Sequence, residues 1–210
     1  MIVKSVIKSF CGYGVLTLIL VFMFQISSFA QDYAAELAKH REHYKSEFLT
    51  DENSPLKQND LEYLRLYAAN PGYIVNTSFT RINDSIGFDM HTHNGVIKKY
   101  FVYGYVTFRL KNTDCKLYIY QSQKLMTKKG FEDYLFIPFT DETNYKETFG
   151  GGRYLDFKMS DIFKDKLIID FNKAYNPYCA FKEGYACPIP PKENDMKISI
   201  EAGEKLFGKE

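Results

Sequence analysis

Gly150, Gly151 and Gly152 lead directly into Arg153. Glycine frees the backbone to turn its N–H groups outward, and a guanidinium donates two parallel hydrogen bonds to a carboxylate or phosphate, so the run could hold an anion. Further on, Asp170, Asn172, Tyr175 and Asn176 follow the apolar stretch Leu167, Ile168, Ile169. That order places Asp170 at the end of a buried strand and the others on the loop after it, where binding groups are commonly presented. Partial burial would raise the Asp170 pKa and suit it to act as a general base. The architectural alternative is equally concrete. Asp170, Asn172 and Asn176 could fasten the loop through backbone turn bonds, while the glycines form a turn or bulge entering a strand and Arg153 pairs with Asp156 or another acid.

Other constellations are less complete. Cys179 and Cys187 bracket a short stretch beside Pro177, Pro188, Pro190 and Pro191. A disulfide closing that loop suits an oxidising compartment, and buried thiols are the competing expectation. Cys115 alternates with Leu117 and Ile119 and reads as a core thiol. Asp141, Glu142, Asn144 and Glu147 supply oxygens but miss calcium-loop spacing. His91 and His93 share a strand face without a visible third ligand, so both are expected at the surface and no metal is expected. There is no Walker or GxGxxG motif and no nucleophile elbow, hence no cofactor is called for.

The elements that must position these groups are mostly strands. Tyr33, Leu37, Tyr44 and Phe48 fall at helical spacing, which predicts an amphipathic N-terminal helix ending near Thr50. A short second helix is expected over 59–67, before Asn70, Pro71 and Gly72. From Tyr73 onward, 17 Tyr and 18 Phe in the chain supply strand-favouring bulk. Strands are predicted at 73–81, 86–91, 98–110, 116–121, 134–139, 153–157, 166–171 and 197–201, with a hairpin turn at 112–114. The fold class is therefore mainly β, a single-domain antiparallel barrel or sandwich of about eight strands with an N-terminal helix. In 98–110 the even positions Val102 to Leu110 form one face and Phe101 to Arg109 the other, making Tyr103 and Tyr105 minor ligand candidates.

Phe136 to Asn144, Lys146 to Asp156 and Asp170 to Asn194 together resemble the bacterial family catalogued as domain of unknown function 1684, across roughly residues 70 to 205. The resemblance carries over Gly151, Gly152, Arg153, Tyr154, Asp170, Asn172, Tyr175, Asn176, Pro177, Cys179, Cys187, Pro188, Glu193 and Asn194 as matching positions, and it implies no role for any of them. Longer members of that family are expected to carry a tryptophan-containing region ahead of the sheet. This chain has no Trp.

Residues 1–30 read as an export signal, with Lys4 and Lys8, an apolar run from Val15 to Phe24, and a small-x-small site ending at Ala30. The apolar run is shorter than the roughly 20 residues that span a bilayer, so cleavage is expected over anchoring. That leaves a helical segment 31–69 and a β-rich domain 70–210 in an exported, periplasmic or secreted protein. Of the 27 basic side chains Lys4 and Lys8 leave with the signal, and 26 acidic ones stay, for a net charge of −1. Such a balance does not neutralise a nucleic-acid backbone. The expected partner is a small molecule, an anionic one in particular, bound by Arg153, Gly151, Gly152, Asn172, Tyr175 and Asn176. The alternatives are a hydrolase or lyase using Asp170 with Arg153, and an envelope scaffold whose motifs only shape the loop.

Overall fold

The structure, a computed structural model, describes residues 31–208. The export-signal expectation and the cleavage site at Ala30 lie outside them. A helix, α1, covers 31–50. The chain divides into two units between His40 and Arg41. In the larger unit the last turns of α1 present Tyr44 and the buried Phe48 on one side. Asp51 then bends the chain, its carboxylate accepting from the Asn53 N–H at 2.9 Å. The helix expected over 59–67 is a six-residue 3-10 segment, Gln58–Tyr63. It stops early because the backbone that follows is claimed by the C-terminal segment: Tyr67 N–H donates to Gly203 O at 2.9 Å and Lys205 N–H to Arg65 O at 2.8 Å.

Seven strands form one curled antiparallel sheet, shaped as a half-barrel. They are β1 (Ile74–Arg81), β2 (Phe88–His91), β3 (Ile97–Leu110), β4 (Thr113–Ser122), β5 (Tyr134–Phe139), β6 (Arg153–Lys158) and β7 (Lys166–Asp170). The order is β6-β5-β4-β3-β1-β7, with β2 also paired to β3. A four-residue helix, α2 (Gln123–Met126), links β4 to β5. The β3–β4 hairpin turns on Lys111 and Asn112, whose φ angles of 48° and 64° make the left-handed two-residue turn that matches strand twist. The turn therefore falls just before the expected 112–114, and Thr113 already pairs with Leu110.

The stretch 197–201 alternates like a strand but is not one. Ile198 and Ile200 are buried, yet the backbone bonds to single loop and side-chain groups: Glu142 N–H reaches Ile198 O at 3.2 Å, and Ile200 N–H reaches Asp141 Oδ1 at 3.2 Å. The segment is a strap across one end of the sheet, and the strand count falls from about eight to seven.

Two apolar clusters occupy the two faces. The larger holds Val106, Leu117, Ile119, Leu135, Ile137 and Ile169, all fully buried, each contributing about 1.5–3 kcal/mol by its removal from water. The smaller is aromatic, with Tyr100, Tyr120, Phe136 and Tyr154 around Met90. Strand β3 contributes to both because its register shifts between Val102 and Gly104. Gly104 allows the shift: a Cβ there would sit 2.4 Å from Thr80 O. The expectation of one continuous Val102–Leu110 face is thereby corrected. Val106, Phe108 and Leu110 face the large core, whereas Val102 packs with the aromatic cluster.

Candidate functional site

Arg153 opens β6 on the large-core side and is completely buried. Its Nη2 donates to Asp141 Oδ2 at 2.8 Å and to Ile200 O at 2.8 Å, and its Nη1 donates to Glu204 O at 3.2 Å and to Ala202 O. The guanidinium thus ties the C-terminal strap to the acidic turn. Asp141 is equally buried and completes the knot by accepting from Thr143 N at 2.9 Å and Thr143 Oγ at 2.6 Å. The acidic turn is at Asp141 an inner anchor of the fold.

The glycines before Arg153 are needed for close approach. Gly152 has φ +87°, and a Cβ on it would lie 2.6 Å from Phe139 O, while one on Gly151 would lie 2.6 Å from His93 Nε2. Their surroundings are occupied by the protein itself, which leaves no berth for an anion beside Arg153.

The remaining expected site residues separate into three further sets. Asp170 accepts from Asn172 N–H at 3.0 Å and from Asn172 Nδ2 at 2.9 Å. Asn172 then grips the backbone of Asn70 from both sides, accepting its N–H and donating to its carbonyl, each at 2.9 Å. Asn176 is buried against Glu204: its N–H donates to Glu204 Oε2 at 2.8 Å and its Nδ2 donates to Lys205 O at 2.8 Å. Arg153 meets Asn176 only by way of Glu204. Tyr175 goes elsewhere, to Asp156. Asp170, Asn172, Asn176 and Arg153 each bond at least one backbone group that would otherwise go unpaired.

Cys179 and Cys187 are free thiols in contact, with Cys179 N–H donating to Cys187 Sγ at 3.2 Å. Cys115 is also free and packs partly against the large core. His91 and His93 are exposed. Tyr103 lies under Arg81 at 3.6 Å and Tyr105 under Lys116 at 3.9 Å, so neither ring faces an empty site.

A group centred on Asp156, of which the sequence singled out only Tyr175 as a binding residue, has the features of a site. Asp156 sits three residues after Arg153 on β6, hence on the opposite face. Pairing carries the row Asp156–Phe136–Tyr120–Val102 across four strands on that side. Tyr134 donates to Asp156 Oδ1 at 2.6 Å, and Tyr175 donates to Oδ1 and Oδ2 at 2.9 and 2.8 Å. Tyr44 approaches Tyr175 with ring centroids 6.0 Å apart. Asp156 is solvent-exposed, yet desolvation by the surrounding rings pushes its pKa up to about 6, against the two phenol hydrogen bonds that lower it. Exposure and desolvation coexist when a carboxylate opens to solvent on one side and is ringed by protein on the others. The burial that raises Asp156 lifts Tyr175 and Tyr134 well above the usual phenol value, so both remain donors.

A family model described as "Protein of unknown function (DUF1684)" matches residues 59–205. The chain belongs to the DUF1684 family. A solution NMR structure of an uncharacterized protein of Haloarcula marismortui is similar in fold, with TM-score 0.65 and 24% identity, over 83% of this chain and 95% of that one. No curated protein matches the chain. In this DUF1684 protein Asp156, Tyr134 and Tyr175 all lie in or beside the matched motifs, and strand parity is the signal that separates Asp156 from Arg153. Among the described residues no group of three or more His, Cys, Asp or Glu is arranged to hold a metal. An open groove of about 410 Å³ beside the β3–β4 hairpin is lined by Thr107, Phe108, Asp114, Cys115 and Lys116. Its thiol is pushed up by burial, and unlike the Asp156 face the groove has no convergent polar set.

Proposed function

We propose that the protein is a binding module that holds a small molecule carrying an ammonium or hydroxyl donors against Asp156 and the aromatic face around it. The carrying observation is the exposed carboxylate hydrogen-bonded by Tyr134 and Tyr175, with Tyr154 and Tyr175 edge to face at 5.8 Å beside it. A carboxylate fixed among ring faces suits a cation, which gains from the π-systems and the charge together. Glu47, also exposed, adds negative charge near Asp156. The anionic version of the ligand loses support because Arg153 is committed inside the fold. In the finer view of the architecture the curled sheet is a barrel closed at this site: Tyr154 and Tyr175 exchange backbone hydrogen bonds of 2.9 and 3.1 Å, which supports joining β6 to the chain after β7. Residues 1–30 support placing the module outside the cytoplasm.

Calorimetric titration with a panel of primary and quaternary amines, set beside carboxylates and phosphate, tests the proposal. Binding of an amine that Asp156→Asn abolishes and Tyr175→Phe weakens supports it. Binding that survives Asp156→Asn intact refutes it. An enzymatic alternative has one observation in its favour: a carboxyl with a pKa of about 6 exchanges its proton near neutral pH and suits general acid–base catalysis. In that case Asp156, in place of Asp170, is the residue whose loss abolishes turnover while binding persists.

A further inference from the structure

Cys179 and Cys187 do not touch the Asp156 carboxylate, and their placement is costly to explain as packing alone. Cys187 is buried at 7% exposure, whereas Cys179 is partly open to solvent. The two cysteines are held together through the Cys179 N–H to Cys187 Sγ bond of 3.2 Å. Cys179 Sγ in turn donates to Tyr185 O at 3.1 Å. The intervening loop is pinned from outside at every few residues. Asn94 Nδ2 donates to Gly184 O at 3.0 Å, Lys98 Nζ to Ala186 O at 2.5 Å, and His93 N–H to Cys187 O at 3.0 Å. Tyr185 OH reaches Asn53 O at 2.7 Å. A loop fixed this way keeps its two thiols at contact distance without a covalent bond, the condition under which one attack is followed by an intramolecular second.

We propose that Cys179 and Cys187 form a thiol–disulfide exchange pair, in which Cys179 is the entry sulfur and Cys187 the resolving one. The partner is a small-molecule disulfide of the glutathione type. The Cys179 thiolate attacks one sulfur of that disulfide, forming a mixed disulfide and releasing one small thiol. Cys187 then gives up its proton and attacks Cys179 Sγ, which closes the Cys179–Cys187 bond and releases the second small thiol. The protein loses two hydrogens and two electrons, and the disulfide partner gains them. The order follows from access, since only Cys179 is open to a bulky reagent, and burial holds the Cys187 thiol up at about 12. The Lys98 ammonium partly offsets the burial that raises the Cys187 thiol.

Lys182 lies between the two cysteines, so trypsin separates them, and Lys173 and Lys192 bound the two peptides. The intact protein, incubated with oxidised glutathione and digested without reductant, is expected to yield peptides 174–182 and 183–192 as one linked species that reduction splits. Cys187→Ser is expected to accumulate a glutathione adduct on Cys179, with an unchanged circular dichroism spectrum as the check on folding. A stable adduct at Cys179 in the parent protein with no linked peptide would overturn the resolving role. Unreacted thiols at both positions while Cys115 is modified would overturn the pair altogether.

Discussion

Glu204 offers the most discriminating perturbation because its stability effect runs against intuition for a buried, hydrogen-bonded acid. It is 1% exposed, and Oε2 accepts from Asn176 N–H and Tyr44 OH, each at 2.8 Å. Oε1 finds no donor, and neither does the buried Asn176 Oδ1. Two acceptors in one dry place lack a single proton. Consistent with that, desolvation pushes the Glu204 pKa from 4.5 to about 7, against the hydrogen bonds and the Arg153 charge that lower it.

A carboxyl whose folded pKa exceeds its unfolded one stabilises most below the unfolded value, and the contribution is lost as pH rises through the folded value. Across pH 4.5 to 7 and just beyond, the loss is up to about 3 kcal/mol, at 1.36 kcal/mol per pKa unit. Glu204→Gln supplies the missing donor and keeps an acceptor for Asn176 and Tyr44. It is therefore expected to be nearly neutral at pH 5 and stabilising by about 1–3 kcal/mol at pH 8. Urea unfolding of both proteins at the two pH values measures it, and groups titrating elsewhere cancel in the difference. A variant that loses more than about 2 kcal/mol at both pH values would show that Glu204 works as a carboxylate partnered with Arg153, and the protonation argument would fail.

The remaining predictions concern the groups that hold the fold's end together. Arg153→Ala strands the buried Asp141 and three strap carbonyls, so urea unfolding is expected to show a loss of about 3–5 kcal/mol, or no folded protein at all; a loss below about 1 kcal/mol would contradict the clamp. Asn194 bridges β4 and β5 where they splay, accepting from Tyr118 N–H at 2.7 Å and donating to Tyr118 O at 2.9 Å and Pro138 O at 2.8 Å. Asn194→Asp, which turns an acceptor toward two carbonyls, should therefore cost more in the same assay than Asn194→Ala, itself about 2–4 kcal/mol. Gly152→Ala, at φ +87° and with Phe139 O in the way, should lose at least about 2 kcal/mol by thermal unfolding. If an amine ligand binds at Asp156, its affinity should rise as pH passes upward through about 6 and level off above, and a flat calorimetric profile would place the ligand elsewhere.

The difference between what was legible in the sequence and what was not follows the range of the forces involved. The apolar, strand-favouring runs along 134–139 and 166–171 are a local signal, and β5 and β7 form there, β5 buried on both faces and β7 ending one residue early at Asp170. The same rule misplaces 197–201, because alternating Ile198 and Ile200 records burial and not a hydrogen-bonded neighbour. It also misses the register shift at Val102–Gly104, which depends on Thr80 and Phe79 of another strand. The site residues were ambiguous for a related reason. Arg153, Asp170, Asn172 and Asn176 are the polar types a binding loop uses, but they are equally the types that satisfy buried backbone where strands end, and only long-range partners distinguish the two. Arg153 takes its partners from Asp141 and 200–204, and Asn172 takes Asn70. Asp156 was recoverable: three residues from Arg153 on one strand, it had to face the other way, into the row where Tyr154 and Phe136 stand. Burial of the arginine and exposure of the aspartate are thus one decision of strand parity, and it shifts the candidate chemistry from a cation awaiting an anion to a carboxylate awaiting a donor.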